Sequence, residues 1–516
     1  MRKSRTRNSF LNMVVSVILN VLTILIGLIV QKLFLSILNE EYLGLNSLFS
    51  NILSMLSIAE LGISNAVIFS LYKPIAKDDK ETIKSLLRFY RTSYAIIGCV
   101  ILTIGLIIMP FLPNLIENHN LGVDINVIYL LSLADVVISY FISYKRSILF
   151  ATQQNYIIDL IHIFYTIIVN TTQILILFLT KNYYLYVIDK IVFRIIENFL
   201  IILIANKKYA YLTEKDVKPL DKNIKKDIFK KIKALFIHKI GGFIVLGTDN
   251  IIITKFLGLA INGLYSSYFL IINAIQSVVG QIVASTTASI GDLLASNDDD
   301  KKHFEVFKKI RFINFWLACV TTVGIFVVMK SFIIVWLGEK YLLSFATLLI
   351  LSLNHYQTIS RRTYTVFKDA AGIYHEDRFI PIIESILNIA ASIALVLVLG
   401  LPGVFIGTII SSLPLWFYSF PKYVYKKLFK RSFWQYFKEN FIFLFITIIS
   451  CVAAFGLSEI ISPYTTPISL LIINIVITLV VPNIIILVVY RKNSELRYYL
   501  DLMKAAKNTV VKKIRK

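Results

Sequence analysis

The stretch YLYVIDKIVFRIIENFLIILIA, residues 184–205, is long and apolar enough to cross a bilayer, yet it carries Asp189, Lys190, Arg194 and Glu197. The last three are spaced four and three residues apart, so they share one face of a helix. Arg194 lies about 15 Å from the start of the stretch, near mid-membrane, where an unpaired charge costs about 3 kcal/mol or more. Two interpretations follow. The charges form an internally neutralised network, or the two cations bind an anionic group in a polar cavity while the two carboxylates hold them in place.

Other polar residues in or near the apolar stretches extend both interpretations. Asn12, Asn20 and Gln31 recur at helical spacing, which predicts the wall of a hydrated cavity; helix packing through hydrogen-bonding side chains is the alternative. Further candidate cavity cations for substrate binding are Lys32, Lys145 and Arg146. Candidate carboxylates for ion or proton coupling are Glu60, Asp135, Asp159, Asp249 and Glu197. Each carboxylate has an alternative role as the partner of a neighbouring Arg, Lys or amide.

The composition shows which solvent these charges meet. Hydrophobic residues make up 57% of the 516 residues and charged residues only 16%, which is typical of an all-α polytopic membrane protein. Apolar runs of spanning length predict about fourteen transmembrane helices, at 11–35, 43–72, 90–112, 123–148, 157–179, 184–206, 238–257, 262–292, 310–330, 341–366, 379–399, 402–422, 439–460 and 467–490.

The distribution of positive charge predicts the orientation. Most of the 54 Lys and Arg residues fall in the termini and in alternate loops on one side, which the positive-inside rule assigns to the cytoplasm. Both termini are therefore predicted to be cytoplasmic. This bias, with attraction to anionic lipids, accounts for the net charge of +23, so no nucleic-acid partner is predicted.

The loops on the opposite side are short. They leave no room for an external site that acts on two glycan substrates, which disfavours a membrane-embedded glycan polymerase or ligase. The chain also lacks a GxxxxGK[ST] motif. We therefore predict a protein that is not an enzyme and that needs no cofactor or metal.

An internal repeat suggests how the spans are grouped. The segment that begins at Leu43 aligns with the segment that begins at Asn262, placing Gly44 on Gly263 at an offset of 219 residues. The identity is low, and shared composition is the alternative explanation. A true repeat predicts two six-helix lobes related by an axis along the membrane normal. The predicted organisation is a lobe at 1–206, a basic cytoplasmic linker at 207–238, a lobe at 239–423, two additional helices with their preceding basic loop at 424–490, and a basic cytoplasmic tail at 491–516.

Three stretches resemble a known family: AELGISNAVIFSLYKPIAKDDKE at 59–81, SYKRSILFATQQNYI at 143–157 and TDNIIITKFLGLAINGLYSSY at 248–268. They are similar to bacterial polysaccharide flippases, the Wzx-type members of the multidrug/oligosaccharidyl-lipid/polysaccharide exporter superfamily. The resemblance implies two six-helix lobes around a central cavity, followed by two further helices. It places the family's acidic elements on Glu60 and Asp249 but does not specify which cations bind the substrate.

The function implied by this resemblance is export, by alternating access, of undecaprenyl-diphosphate-linked oligosaccharide for cell-surface polysaccharide. The implied partners are this lipid-linked substrate, membrane lipids, a coupling ion (H⁺ or Na⁺) and other polysaccharide assembly proteins. An ion-coupled multidrug-type antiporter of the same fold is the alternative, and in that case the carboxylates would matter more than Arg194.

Overall fold

The computed structural model describes residues 2–60, 63–116, 121–214, 216–295, 300–373 and 376–514. In these ranges every regular element is helical. The α-helices are α1 (Arg2–Ile37), α2 (Glu40–Leu56), α3 (Ile63–Lys77), α4 (Lys80–Ile108), α5 (Leu112–Leu115), α6 (Ile125–Ile142), α7 (Arg146–Ala151), α8 (Asn155–Thr180), α9 (Tyr183–Lys208), α10 (Lys222–Leu257), α11 (Leu259–Ala284), α12 (Thr287–Ala295), α13 (Asp300–Trp336), α14 (Phe345–Ser360), α15 (Arg362–Ala370), α16 (Ile380–Leu399), α17 (Leu401–Ser411), α18 (Phe433–Ile461), α19 (Pro467–Val489) and α20 (Ser494–Ile514).

Shorter helical turns lie between some of these helices. The 3₁₀ turns are Ser57–Glu60, Met109–Phe111, Ser143–Lys145, Ala210–Thr213, Glu339–Tyr341 and Ser462–Tyr464. One π-helical segment, Leu415–Leu428, follows α17.

The prediction of an all-α polytopic membrane protein is confirmed. Among the described residues, ten helical segments are long and apolar enough to cross a membrane. They are Val14–Ile37, Lys80–Leu115, Ile125–Ala151, Asn155–Thr180, Leu259–Leu294, Asp300–Trp336, Ile380–Leu399, Leu401–Leu428, Phe433–Tyr464 and Pro467–Val489.

The other four predicted spans contain interruptions or charges. The predicted span 43–72 contains α2, a 3₁₀ turn and α3, and the predicted span 341–366 contains α14 and the start of α15, which meet at Arg361. α9 carries its charges in the middle of an apolar helix, and α10 continues from the basic linker without a break. Where the regular hydrogen bonding of a membrane helix is interrupted, other groups must satisfy the backbone, so the two interruptions are places to look for function.

The chain forms two compact units, Met1–Ser266 and Ser267–Lys516, here called unit 1 and unit 2. In unit 1, α1 packs on α8, while α6 packs on α4 and α9. α10 packs on α2 and α3, and Ile228 in its first turns is buried in the core of unit 1. The predicted linker thus includes the 3₁₀ turn Ala210–Thr213 and the start of a helix that packs on unit 1. The predicted domain boundaries themselves stay predictions.

In unit 2, α13 is surrounded by α14, α18 and α19, and α16 packs against α17. A cluster of buried aromatic rings fills one end of this unit, with Phe307, Tyr364, Phe367 and Tyr425 almost fully shielded. α20 returns to α13, where the Tyr499 hydroxyl donates to the Lys309 carbonyl at 3.1 Å.

α2 and the start of α11 cross at two glycines. A Cβ on Gly44 would lie 2.0 Å from the carbonyl oxygen of Leu259, and a Cβ on Gly263 would lie 2.0 Å from the carbonyl oxygen of Glu40. The repeat offset that places Gly44 on Gly263 also places Glu40 on Leu259. The contact of Gly44 with Leu259 is therefore equivalent, under this alignment, to the contact of Gly263 with Glu40. The two aligned segments thus contact each other at equivalent positions, and the repeat itself stays a prediction.

Candidate functional site

The charges of α9 meet those of three neighbouring helices in unit 1. We call Asp135, Arg146, His162, Lys190, Arg194 and Glu197 the unit 1 charge cluster; they come from α6, α7, α8 and α9. A tight turn brings α8 and α9 together: Lys181 adopts a left-handed conformation at φ 52°, and the Asn182 side chain caps α9 by accepting from two backbone amides. The resulting antiparallel pair sets His162 beside Glu197.

Glu197 is the centre of the cluster. Its side chain is fully shielded from solvent, and one carboxylate oxygen lies 3.2 Å from Arg146 Nη2 and 2.9 Å from His162 Nδ1. The other oxygen lies 3.4 Å from Arg194 Nη1. Asn198, on the next position of α9, accepts from Arg146 Nε at 3.2 Å. Each oxygen of this buried carboxylate therefore lies close to at least one nitrogen of a neighbouring side chain.

Asp135 forms the second half of the cluster. Its carboxylate pairs with Lys190 Nζ at 3.4 Å and with Arg194 Nε at 3.5 Å. The Arg194 guanidinium also lies 4.8 Å from the centre of the Tyr165 ring, at cation–π distance. Arg194 is therefore shared between two carboxylates and one aromatic face.

The unit 1 charge cluster has a net positive formal charge. Two carboxylates face three permanent cations, and Lys190 is the most accessible of these, with 43% of its side chain exposed against 24% for Arg194. Asp189 lies apart from this arrangement, since its carboxylate accepts from the Thr172 hydroxyl at 2.8 Å. The four charges of the 184–205 stretch thus divide into three cluster members and one carboxylate bonded to α8.

Several other predicted site residues connect helices within unit 1. Asn12 donates to the carbonyl of Gln153 at 3.1 Å and accepts from the backbone amide of Tyr156 at 2.8 Å. Asp159 accepts from Ser16 at 2.5 Å, again joining α1 to α8. These contacts hold α1 against α8.

The remaining predicted cations and amides lie in different surroundings. Lys145 is buried and donates to the Asn206 side chain. Gln31 is also buried, while Lys32 is exposed and Asn20 is half-buried on α1. The structure does not bring Lys32 into the charge cluster.

Glu60 lies in the 3₁₀ turn between α2 and α3 and is surrounded by hydroxyl groups. Its carboxylate accepts from Ser64 and Tyr94, and from Tyr140 at 2.8 Å. Tyr90 adds a hydrogen bond to Ser64 at 2.9 Å. No ion pair to Glu60 occurs within the described part of the chain, so this carboxylate differs from those of the charge cluster.

Asp249 lies half-buried on α10, next to Asn250, which is buried and accepts from Ser47 of α2 at 3.2 Å. Leu61 and Gly62, which follow Glu60 in the sequence, lie outside the described residues.

Unit 2 holds charged groups that sequence reasoning missed. Arg311 on α13 is buried and pairs with Glu439 of α18 at 2.5 Å. Arg361 pairs with Glu384 of α16 at 2.8 Å, and Arg362 is its neighbour at the break between α14 and α15. The signal for the last two was a pair of adjacent arginines near the end of the predicted span 341–366.

The fold and the sequence place the chain among known proteins. The sequence profile of a family described as polysaccharide biosynthesis protein matches residues 36–346, and the chain belongs to this family. No curated protein sequence matches it.

Solved structures share the fold at low sequence identity. The lipid II flippase MurJ in an inward closed conformation aligns at a TM-score of 0.62 and 15% identity, covering 93% of this chain and 99% of MurJ. An inward-facing multidrug resistance MATE family transporter of the MOP superfamily aligns at 0.59 and 16% identity, covering 76% of this chain and 91% of the transporter. An outward-facing MATE family transporter aligns at 0.52 and 16% identity, covering 80% and 92%.

Proposed function

We propose that the protein translocates undecaprenyl-diphosphate-linked oligosaccharides across the bacterial cytoplasmic membrane for cell-surface polysaccharide synthesis. The observation that carries the proposal is the unit 1 charge cluster, which holds a surplus of positive charge inside a helix bundle. Membership of the polysaccharide biosynthesis family and a fold shared with the lipid II flippase MurJ support the same function.

The physical task is to move a diphosphate and many hydroxyl groups through a region that excludes them. Transfer of such groups into hydrocarbon without hydrogen-bonding partners costs several kcal/mol per group, on the order of 2–7. A cationic, amide-containing cavity replaces the lost water, while the polyprenyl chain stays in lipid. In the cluster, Lys190 is the cation with the most accessible ammonium, and Arg194 is the planar donor beside it.

The role of the cluster carboxylates follows from their burial. Glu197 and Asp135 hold Arg146, Arg194 and Lys190 in place in the absence of substrate and reduce the cost of keeping three cations among apolar helices. A substrate diphosphate then meets cations that are already positioned. The protein performs transport by alternating access and makes or breaks no covalent bond of the substrate.

The surrounding assignments belong to the same proposal. Both termini lie in the cytoplasm, and membrane lipids and other polysaccharide assembly proteins are its partners. H⁺ or Na⁺ is the coupling ion.

A second candidate function is an ion-coupled multidrug-type antiporter, in which Glu60 would matter more than Arg194. Among the described residues this carboxylate accepts hydrogen bonds from hydroxyl groups and pairs with no cation, so none of these residues competes with an incoming ion. Such a site serves a coupling ion in either function. The nature of the cargo therefore has to be tested directly.

The test is flipping of a fluorescently labelled undecaprenyl-diphosphate oligosaccharide in vesicles that contain the purified protein. Arg194→Gln should keep insertion and lower the flipping rate at least tenfold, and Arg194→Lys should restore part of it because the charge returns without the planar fork. Lys330→Gln, which removes an exposed cation of unit 2, is the matched control and should leave the rate unchanged. Absence of flipping by the wild type, with uptake of a multidrug cation instead, would replace this proposal with the antiporter.

A further inference from the structure

The break between α14 and α15 carries an arginine, Arg362, that pairs with no carboxylate in the described part of the chain. Asn314 on α13, which is 1% exposed, donates to the carbonyls of Ile359 at 2.9 Å and Ser360 at 3.3 Å. These carbonyls end α14, and the side-chain amide from α13 stabilises the interruption. Arg361 and Arg362 therefore lie at an interruption that a side chain of another helix stabilises, and not at the frayed end of a helix.

The two arginines differ in their partners. Arg361 pairs with Glu384 at 2.8 Å. Arg362 is half-buried, its Nε is shielded from solvent, and this Nε has no hydrogen-bond acceptor in the described part of the protein. No ion pair to Arg362 is present among the described residues either. A guanidinium in a membrane-spanning unit is costly unless a counter-charge or water compensates it, so its retention requires an explanation.

The guanidinium of Arg362 packs directly against a glycine of α11. A Cβ on Gly280 of α11 would lie 2.0 Å from Arg362 Nη1 and 3.0 Å from Cζ. The absence of a side chain at Gly280 therefore creates the space that the guanidinium fills. Two further buried polar atoms of α14 and α15, His355 Nδ1 and Thr363 Oγ1, also have no hydrogen-bond partner in the described structure.

We propose that Arg362 is a binding residue for the diphosphate of the lipid-linked substrate, supplied by unit 2. Its fork of N–H donors matches two phosphate oxygens, which a guanidinium binds in a bidentate manner. The charge balance distinguishes it from Arg194, whose N–H groups already face Asp135 and Glu197. For Arg362, no ion pair among the described residues has to be displaced before an anion binds. This inference rests on the proposed function, because that function supplies the diphosphate.

The test is equilibrium binding of undecaprenyl diphosphate to the purified full-length protein in detergent, followed by native mass spectrometry. Arg362→Gln should weaken binding at least tenfold, Arg362→Lys should weaken it less, and Lys330→Gln should leave it unchanged. Gly280→Ala provides a second variant that keeps the charge but displaces the guanidinium, and it should weaken binding severalfold. The melting temperature of each variant verifies that it is folded.

Two further ligands separate the possible sources of the anion. Inorganic diphosphate should compete with undecaprenyl diphosphate in the wild type and lose this ability in Arg362→Gln, whereas phosphatidylglycerol should bind equally to both proteins. Loss of phosphatidylglycerol binding in Arg362→Gln to the same extent would overturn the diphosphate assignment in favour of a general anionic-lipid site. Unchanged undecaprenyl diphosphate binding in both Arg362→Gln and Gly280→Ala would refute the inference outright.

The binding result is independent of transport. Wild-type flipping together with unaltered binding by Arg362→Gln would remove this inference and leave the proposed function standing. An absence of flipping by the wild type would remove the proposed function, whatever the binding measurement gave.

Discussion

Arg194 in unit 1 and Arg362 in unit 2 both place a guanidinium among apolar helices, but their surroundings differ. In unit 1, Arg194 lies between Glu197 at 3.4 Å and Asp135 at 3.5 Å, with an aromatic ring at 4.8 Å. In unit 2, Arg362 is half-buried beside a glycine and has no ion pair among the described residues. The first arrangement neutralises most of the charge internally, and the second leaves the charge available.

The difference lies in how much of each arginine's charge remains available to an anionic ligand. A carboxylate that holds a cation also competes with any anionic ligand for the same N–H donors, so a fully paired arginine is a weaker site than an unpaired one of equal exposure. An unpaired arginine reduces the stability of the free protein and regains that free energy when an anion arrives. The two sites should therefore respond differently to mutation, and four measurements of unfolding free energy in detergent test this.

The largest effect should come from Glu197→Gln. The change keeps the size of the side chain but removes, among the described residues, the carboxylate that pairs with both Arg146 and His162 and one of two that pair with Arg194. Loss of one partner from a buried ion pair costs about 3–5 kcal/mol, and we expect a loss of unfolding free energy in that range. Glu459→Gln, at an exposed position of α18, should change it by less than about 0.5 kcal/mol. Equal stability of the two variants would mean that the unit 1 charge cluster does not stabilise the fold.

A smaller loss should follow Asn314→Ala at the break in unit 2. The substitution leaves the carbonyls of Ile359 and Ser360 without their side-chain donor, which costs about 1–3 kcal/mol for buried groups. Asn170→Ala is the matched control, because the Asn170 amide bonds only the Thr166 carbonyl of its own helix, four residues away. If both variants lose the same free energy, the break does not depend on α13.

Glu384→Gln should cost less again. Its partner Arg361 is 28% exposed, so water replaces part of the lost ion pair and the expected loss is about 0.5–1 kcal/mol. A loss as large as that of Glu197→Gln would show that the two units bury their ion pairs equally, which would weaken the contrast between them.

The smallest change should come from Arg362→Gln. No ion pair is broken in the described structure, so the unfolding free energy should stay within about 0.5 kcal/mol of the wild type, or rise. A loss above about 2 kcal/mol would indicate that Arg362 has a structural counter-charge, and the comparison between the two arginines would then fail.

Local spacing in the sequence was enough to predict part of the unit 1 charge cluster. Lys190, Arg194 and Glu197 recur at intervals of four and three, which places them on one face of α9, as found. The partners Asp135, Arg146 and His162 lie on other helices. Their contacts depend on how α6, α7 and α8 pack against α9, which no local pattern contains.

The break in unit 2 shows the same limit more sharply. The apolar run 341–366 was predicted as one span because its hydropathy is continuous. The interruption at Arg361 depends on Asn314, which lies 45 residues before Ile359 and reaches it from another helix. The overall helical membrane fold, in contrast, follows from composition and span length alone, since hydrocarbon leaves the backbone few other ways to satisfy its hydrogen bonds.

The crossing of α2 and α11 at Gly44 and Gly263 has a mechanical consequence. Because each glycine meets the backbone of the other helix with no intervening side chain, this is the point where the two helices are hardest to separate and easiest to rotate. α2 extends 12 residues beyond Gly44 to Leu56, about 18 Å at 1.5 Å per residue. A rotation of 10° about the crossing would therefore move the far end of α2, where the turn that holds Glu60 begins, by about 3 Å. A rotation at the glycine pair therefore leaves the crossing almost unmoved and shifts the turn that holds Glu60.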